Sequence, residues 1–235
     1  MNRRAFLAAS VAGAATLAGC TGGSAGSGAP ETSGGLPTDG GEDAPPHTHA
    51  LDGLDSQPSL GPEPREADGL IVAFEDPSCP RCQAFEQQVF PQVRSDLIDP
   101  GKVSFVFRGY PVVYPWGEPA CYALEATFAR DEAAFWALHD HYFASAGEFE
   151  SAGEGAVYDL TADFLNSETD VDGDAVIEDV EGEAVAQAVG TDLDAGRAAG
   201  VGRTTPTLFL FRNGEFLTRT AGSVSYTIIE RTLDV

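Results

Sequence analysis

The sequence of 235 residues predicts an α/β fold, because stretches with the periodicity of strands alternate with stretches that have the periodicity of helices. The apolar run at residues 70–74 has the length of a buried strand, and residues 79–98 then place apolar side chains at helical spacing. Near the C-terminus, a β-prone run at 207–211 precedes Asn213-Gly214, the preferred pair for a two-residue hairpin turn. The predicted order is strand, helix, strand, a block of helices, a hairpin and a final helix.

The elements between these landmarks are predicted in the same way. Pro91 is expected to kink the first helix or to start a second piece, because proline lacks the amide that a helix interior needs. Residues 102–107 alternate as a strand does, residues 215–220 are expected to pair back after the hairpin turn, and residues 225–233 to form the terminal helix. The helical block is predicted at 119–144, as one interrupted helix or two, at 157–165, at 175–189 and, as a short last helix, at 192–199.

Cys79-Pro80-Arg81-Cys82 lies at the junction between the first strand and the first helix. Two cysteines separated by two residues at such a junction are placed to work as a dithiol/disulfide pair. Pro80 suits the first helical position, which makes Cys79 the residue that caps the helix. The free amides of the first turn and the positive end of the helix dipole favour a thiolate, so we expect the pKa of Cys79 to lie below its free value of about 8.5. Arg81 adds a positive charge, and Cys82 is placed to attack a mixed disulfide formed at Cys79.

Two other interpretations of this pair stay open. A structural zinc site needs about four ligands, and a set of Cys79, Cys82, Cys121 and one histidine is conceivable, although the sequence has no second Cys-x-x-Cys pair. The other interpretation is a structural disulfide, although a bridge that closes so short a loop removes little chain entropy. We therefore predict a redox pair that uses no metal and no organic cofactor.

The composition is strongly acidic, with 37 Asp and Glu against 13 Lys and Arg and a formal net charge of −24. Such a surface repels nucleic acid and anionic lipid headgroups, so binding of nucleic acid is not expected. Lys102 is the only lysine. Abundant carboxylates with few lysines are typical of proteins that work in concentrated salt, where repulsion between carboxylates is screened over short distances. We therefore predict a halophilic protein, of haloarchaeal origin.

The N-terminus predicts export and lipid attachment. Residues 2–7, Asn-Arg-Arg-Ala-Phe-Leu, resemble a twin-arginine signal, and the small and apolar run at 8–18 is short for a membrane span. Residues 17–20 resemble a lipoprotein cleavage box, in which Cys20 becomes the lipidated first residue after removal of residues 1–19. Cleavage without lipid attachment is the alternative. The expected location is the extracytoplasmic face of the cell membrane, where disulfides persist.

Residues 20–55 are expected to form a disordered tether, because they are rich in Gly, Ser, Thr, Pro and acids and lack apolar periodicity. His47 and His49 lie in this tether, where we expect them to be solvated rather than to bind a metal. The folded domain is then expected to span residues 56–235.

Four motifs resemble the DsbA-like branch of the thioredoxin superfamily. They are Asp-Pro-Ser-Cys-Pro-Arg-Cys at 76–82, Pro-Trp-Gly-Glu-Pro-Ala at 115–120, Phe-Trp-Ala-Leu-His-Asp at 135–140 and Gly-Arg-Thr-Thr-Pro-Thr at 202–207. The second and third motifs alone would be weak, but the four together are specific, and the resemblance covers residues 57–235. It implies a thioredoxin fold, with a central mixed sheet flanked by helices and a helical domain inserted at about 113–199.

The resemblance also implies roles for residues outside the cysteine pair. The bond between Thr205 and Pro206 is expected to be cis, with Thr205 close to Cys79 and its backbone offered to an extended substrate segment. Many thioredoxin relatives place a buried acid six residues before the first cysteine, and this chain has Ala73 there. Asp76 matches the acid of the DsbA-like branch, and both a proton relay and a structural cap are open for it.

These observations together predict an exported, membrane-anchored thiol–disulfide oxidoreductase. It is expected to exchange disulfides with exported protein substrates through Cys79 and Cys82, in the oxidising direction, because stabilising the reduced form makes a pair a stronger oxidant. A membrane redox partner would re-oxidise the pair. Three alternatives stay open: an extracytoplasmic disulfide reductase, a binding or chaperone lipoprotein without turnover, and a lipoprotein that delivers copper or zinc.

Overall fold

A mixed β-sheet forms the centre of the protein in a computed structural model, which describes residues 36, 41 and 43–235. Within these residues the sheet has five strands in the order β1-β3-β2-β4-β5. Strands β2 and β3 are parallel, and every other neighbouring pair is antiparallel. The strands are β1 (Ser59–Leu60), β2 (Gly69–Glu75), β3 (Val103–Gly109), β4 (Thr207–Arg212) and β5 (Glu215–Ala221). The strands predicted around residues 72, 105, 209 and 218 are thus confirmed.

The two central strands are buried along their whole length. All seven residues of β2 and all seven of β3 are buried. Helices cover one face of the sheet, and the last helix before β4 covers the other together with the N-terminal segment. The edge strand β5 instead alternates between exposed and half-buried residues. The alternation seen in the sequence at 102–107 therefore does not mark a solvent-facing side of β3, which carries both Ser104 and Arg108 into the interior.

The first helical segment is broken as its proline predicts. Helix α1 spans Pro80–Gln88, helix α2 spans Phe90–Val93, and one turn of π-helix follows at Arg94–Ile98. Pro91 lies in the first turn of α2, where its missing amide leaves no helical hydrogen bond unmade. The terminal helix, α9, spans Tyr226–Leu233.

Six helices lie between β3 and β4, and they form the predicted helical insertion. They are α3 (Gly117–Arg130), α4 (Glu132–Ala144), α5 (Ala146–Ala152), α6 (Val157–Glu168), α7 (Gly173–Asp179) and α8 (Glu183–Ala198). The sequence analysis missed α5, and it was wrong to end one helix at residue 189 and start another at residue 192. Asp192 resembles a helix start in the sequence, but it lies inside α8 with a fully buried side chain that binds Arg108.

The tether predicted at 20–55 ends earlier than expected. Pro46–Leu51 and Leu54–Ser56 form two 3₁₀ turns, and Ala50, Leu51 and Leu54 are at most 1% exposed. These three side chains pack on the face of the sheet that carries Val72. The disorder prediction for residues 46–55 was therefore wrong, because a few apolar residues in a polar stretch suffice to anchor it to an existing apolar surface.

The two histidines of this segment are also held in place. The ring of His47 stacks on Phe216 with a centroid separation of 4.1 Å, and Nδ1 of His49 lies 2.9 Å from a carboxylate oxygen of Asp52. The expectation that they are solvated is therefore wrong. The predicted signal at 1–19, the lipidation site Cys20 and most of the tether lie outside the described residues.

Arg108 joins the N-terminal segment to the sheet and to the insertion. Its wholly buried guanidinium donates to Asp192 at 2.8 Å and to the backbone carbonyls of Ala50 and Asp52 at 3.0 and 2.7 Å. The second carboxylate oxygen of Asp192 accepts a hydrogen bond from the amide of Gly109. Burial raises the pKa of Asp192, and the neighbouring guanidinium opposes that rise. One buried ion pair thus connects three parts of the chain.

We expect Arg108→Met to lower the free energy of unfolding by about 3–5 kcal/mol, because it leaves a buried carboxylate without its partner. The matched control is Arg130→Met, which breaks the half-exposed pair between Arg130 and Asp179 and should cost at most about 1 kcal/mol. Denaturant unfolding monitored by circular dichroism measures both values. Equal losses in the two variants would contradict this account of Arg108.

Candidate active site

The cysteine pair lies where β2 ends and α1 begins. Strand β2 stops at Glu75, a short turn follows, and Cys79 is the N-cap of α1 with Pro80 at the first helical position. Both cysteines are buried and carry free thiols, whereas Pro80 and Arg81 are exposed. The placement of Cys79, Pro80 and Cys82 that the sequence predicts is therefore confirmed.

The Thr205–Pro206 peptide bond is cis, as the resemblance implies. Sγ of Cys79 lies 3.4 Å from the carbonyl oxygen of Thr205, to which the thiol form donates. The two residues are separated by 126 positions along the chain, so only the folded structure brings them together. The predicted contact between Thr205 and the first cysteine is thus observed.

Asp76 is a structural cap of the turn before Cys79. One carboxylate oxygen accepts from the amide and hydroxyl of Ser78, and the other accepts from the amides of Val112 and Val113 at 2.8 Å each. Burial raises the pKa of this carboxyl, and the four hydrogen bonds oppose the rise. Of the two roles left open for Asp76, these contacts favour the structural one, because both oxygens are already occupied. The carboxylate also joins the turn to the loop that enters the insertion.

The two cysteines have opposite protonation preferences. Interaction with the Cys82 thiol is the largest cause that lowers the pKa of Cys79, which falls to about 5 although burial opposes the shift. Thr205 and the amides of Cys82 and Arg81 lower it further. The hydroxyl of Thr205 is buried and has no other partner among the described residues, so it is free to donate to the thiolate. Burial raises the pKa of Cys82 well above its usual value.

The main cause of the low pKa of Cys79 differs from the one that the sequence suggested. The helix amides do contribute to the low pKa of Cys79, but the hydrogen bond from the second thiol contributes more. At neutral pH the pair therefore consists of a thiolate at Cys79 and a thiol at Cys82. That is the arrangement in which one sulfur attacks or leaves easily and the other keeps its proton until it is needed.

Sequence reasoning missed a cluster of buried acids behind Cys82. Glu75 is completely buried, and its pKa rises to about 8 because of burial, while interactions with Glu86 and Cys82 limit the rise. Burial and the nearby Glu75 raise the pKa of Glu86 as well. Both side-chain oxygens of Glu75, one of Glu86 and Nε2 of His139 have no hydrogen-bond partner within the described part of the chain. The signal available in the sequence was an acid at the end of an otherwise apolar strand.

Glu86 connects this cluster to the surface. It lines a cavity of about 270 Å³ together with residues that include Arg94, Asp140 and Phe143. Nδ1 of His139 lies 3.1 Å from a carboxylate oxygen of Asp140, whose side chain is 61% exposed. The acid cluster behind Cys82 thus borders, through Glu86, a cavity that Asp140 also lines.

The described residues contain no group of side chains suited to hold a metal ion. Cys121 is buried on α3 against Gly109, and burial raises its pKa well above the usual value, so it is held as a thiol in the core. The described chain also has no helix that is long and apolar enough to cross a membrane.

The chain is similar to known proteins in both sequence and fold. The model of a family described as Thioredoxin matches residues 58–233. Disulfide bond formation protein D of Bacillus subtilis (strain 168) is 28% identical over 163 residues, which cover 68% of this chain and 72% of that protein. The crystal structure of oxidised BdbD from Bacillus subtilis matches with a TM-score of 0.64 and 26% identity, over 77% of this chain and 95% of that chain. The thiol-disulfide exchange protein alpha-DsbA2 from Wolbachia pipientis shares the fold, with a TM-score of 0.61 and 21% identity over 80% of this chain and 94% of that one.

Because the Cys82 thiol is the largest cause of the low pKa at Cys79, removing that donor should raise the pKa. We expect Cys82→Ala to raise the pKa of Cys79 from about 5 by roughly 1 unit or more, since a hydrogen bond to the charged form is lost. Cys82→Ser keeps a donor at the same place and should raise it less. Ultraviolet absorbance of the thiolate against pH measures both values. Equal shifts in the two variants would contradict the assigned cause.

Glu75 should make stability fall as pH rises. Its pKa is about 8 in the folded chain and about 4.5 as the ordinary value, so between these values the folded state holds a proton that the unfolded state has lost. The stabilisation is complete below the ordinary pKa and is lost as pH rises through the folded one. The free energy of unfolding of the reduced wild-type protein should therefore decrease as pH rises from about 4.5 to about 8, relative to that of Glu75→Gln. The exposed control Glu215→Gln should leave the pH profile unchanged, and parallel profiles for wild type and Glu75→Gln would show that Glu75 does not titrate as described.

Proposed function

The chain belongs to the thioredoxin family and is a thiol–disulfide oxidoreductase, and we propose that it is an exported, membrane-anchored enzyme that oxidises protein thiols through Cys79 and Cys82. The observation that carries the proposal is the contrast between the two sulfurs, with the pKa of Cys79 lowered to about 5 and that of Cys82 raised. A pair whose reduced form is stabilised by a thiolate gives up its disulfide readily, which favours the oxidising direction.

The oxidised enzyme carries a disulfide between Cys79 and Cys82. A substrate thiolate attacks Sγ of Cys79, the disulfide between the two cysteines breaks, and a mixed disulfide joins the substrate to Cys79. The sulfur of Cys82 leaves with the electron pair of the broken bond and takes up a proton, because burial disfavours its thiolate. Glu75 is protonated at neutral pH and interacts with Cys82, so it supplies this proton and regains one through Glu86.

The second half of the reaction releases the product. A second substrate thiolate attacks the substrate sulfur of the mixed disulfide, and the sulfur of Cys79 leaves as a thiolate. The low pKa of Cys79 makes it a good leaving group, and the substrate now holds the disulfide. The enzyme is left reduced, with a thiolate at Cys79 and a thiol at Cys82, and a membrane redox partner that accepts two electrons would return it to the disulfide form with release of one proton.

The location is proposed from the sequence. The twin-arginine pattern at 2–7 and the cleavage box that ends at Cys20 support export followed by lipid attachment. The charge of −24 supports work in concentrated salt, where mutual repulsion of the carboxylates is screened. Thiol-bearing exported proteins are the proposed substrates.

The refolding of a reduced, denatured protein that needs disulfides tests the activity. We expect the oxidised wild-type enzyme to speed disulfide formation, and Cys79→Ser to abolish the effect because it removes the attacked sulfur. The control is Cys121→Ala, which removes a buried thiol outside the pair and should retain the activity. Equal rates with wild type and Cys79→Ser would refute the proposal.

The reduction potential of the pair tests the direction. We expect the potential of the Cys79–Cys82 pair to be that of an oxidant, about −120 mV. A value of about −270 mV would be that of a reductant and would contradict the proposed direction. Equilibration with glutathione followed by thiol alkylation measures it.

A further inference from the structure

We propose that Arg81 and Arg203 form an anionic-segment site at the mouth of the active site, which binds carboxylates that flank the reacting cysteine of an acidic protein substrate. The inference rests on the proposed function and adds the class of substrate. It follows from two exposed arginines that form no ion pair with a described residue and that lie beside the cysteine pair.

Most arginines of the described chain are used internally. Six of them lie within 4 Å of a carboxylate oxygen: Arg65, Arg94, Arg108, Arg130, Arg197 and Arg212. With 37 acids in the chain against 13 bases, an arginine finds an acidic neighbour easily. Arg81 and Arg203 are both exposed, and neither forms an ion pair with any described residue. Arg219 donates to two backbone carbonyls instead, and Arg231 is exposed without an ion pair to a described residue as well. What distinguishes Arg81 and Arg203 is therefore their place beside the cysteine pair.

Both arginines lie beside the residues that a substrate must approach. Arg81 stands between the two cysteines, and its side chain lies beside Gly222 and near the methyl group of Thr204. Arg203 precedes Thr204, and its guanidinium donates to the carbonyl of Val112 at 3.4 Å. Thr204 is followed by the Thr205 carbonyl that contacts Cys79. Arg203 thus belongs to the loop before Pro206, and Arg81 lies beside Gly222, whose amide donates to the carbonyl of Pro206.

The site is shaped for contact with a polypeptide. Cys79 is only 1% exposed, so a partner reaches its sulfur by contacting the residues around it. Tyr114 is 45% exposed, and its amide donates to the hydroxyl of Ser78, next to Cys79. The exposed Tyr114 therefore belongs to a segment that adjoins the turn before Cys79. A polypeptide segment with a cysteine between acidic residues would bring its carboxylates to the arginines beside this turn.

The chemistry of the guanidinium favours carboxylates as the ligand. Arginine binds a carboxylate through two parallel hydrogen bonds, which is a contact interaction that survives when long-range attraction is screened. The net charge of −24 repels an acidic partner from the rest of the surface. Arg81 and Arg203 offset this repulsion beside the cysteine pair, where an acidic substrate has to dock.

Three dithiol peptides that differ only beside the reacting cysteine test the proposal. The flanking residues are Asp, Asn or Lys, and the oxidised enzyme converts each peptide to its disulfide. The measured quantity is the second-order rate constant, at the lowest salt concentration at which circular dichroism shows the native helix content. Flanking charge changes the reactivity of the peptide thiol itself, so rates are compared between enzymes on the same peptide.

We expect the ratio of the Asp rate to the Asn rate to fall by roughly 3–10-fold from wild type to the double variant Arg81→Gln, Arg203→Gln, since each exposed pair contributes modestly. The ratio of the Lys rate to the Asn rate should rise from wild type to the same double variant. Any general effect of Arg81 on the cysteine pair cancels, because it changes the rates of all three peptides equally.

The matched control removes two positive charges at the other end of the sheet. The carbonyl of Lys102 accepts a hydrogen bond from the amide of Gly69 at the start of β2, whereas Cys79 follows the end of that strand. Arg231 lies in the last turn of α9, close to the C-terminal Val235, whose side chain also lies near Gly69. The double variant Lys102→Gln, Arg231→Gln should keep the wild-type ratio.

Each outcome bears on one claim. An Asp-to-Asn ratio that is equal in wild type and the active-site variant overturns the inference and leaves the proposed function standing. A ratio that falls equally in the control variant also overturns it, because net charge alone would then explain the preference. Failure of the wild-type enzyme to oxidise any of the three peptides refutes the proposed function itself.

Discussion

The hydrogen bond from the Cys82 thiol to the Cys79 sulfur is the interaction on which the chemistry depends. It lowers the pKa of one cysteine and raises that of the other, so the two sulfurs of one motif are chemically different at neutral pH. The helix start supports this difference with backbone amides, and burial of Cys82 maintains it. A pair of equal thiols would lack both an easy leaving group and a sulfur that retains its proton.

The rest of the fold holds this pair in place through polar contacts that are buried. Asp76 fastens the turn before Cys79 to the loop that enters the helical insertion, and it uses all of its hydrogen-bonding capacity to do so. On the other face of the sheet, Arg108 fastens the N-terminal turns to β3 and α8. Because both contacts are shielded from water, each is far stronger than an exposed pair would be.

Acidic side chains at the surface of this protein differ in protonation from those that are buried. The surface carries a large excess of carboxylates, whereas the buried acids Glu75 and Glu86 have raised pKa values and hold protons. Acids at the surface carry the net charge of the chain, whereas Glu75 and Glu86 lie in the interior, where burial favours the protonated form. The same residue type thus serves two purposes, and the local dielectric environment decides which.

The sequence by itself determined four of the five described strands, the broken first helix, the hairpin and the position of the cysteine pair at a helix start. These features depend on local rules, such as the spacing of apolar residues and the geometry of Pro80 and Asn213-Gly214. Tertiary structure decided the rest. It placed Thr205 against Cys79, joined Asp192 to Arg108 within a longer helix, and ordered the turns at 46–56 against the sheet. It also buried Glu75, an acid at the end of a strand, and thereby raised the pKa of its carboxyl. Each of these depends on a neighbour distant in the chain, and no local pattern encodes the burial that such a neighbour imposes.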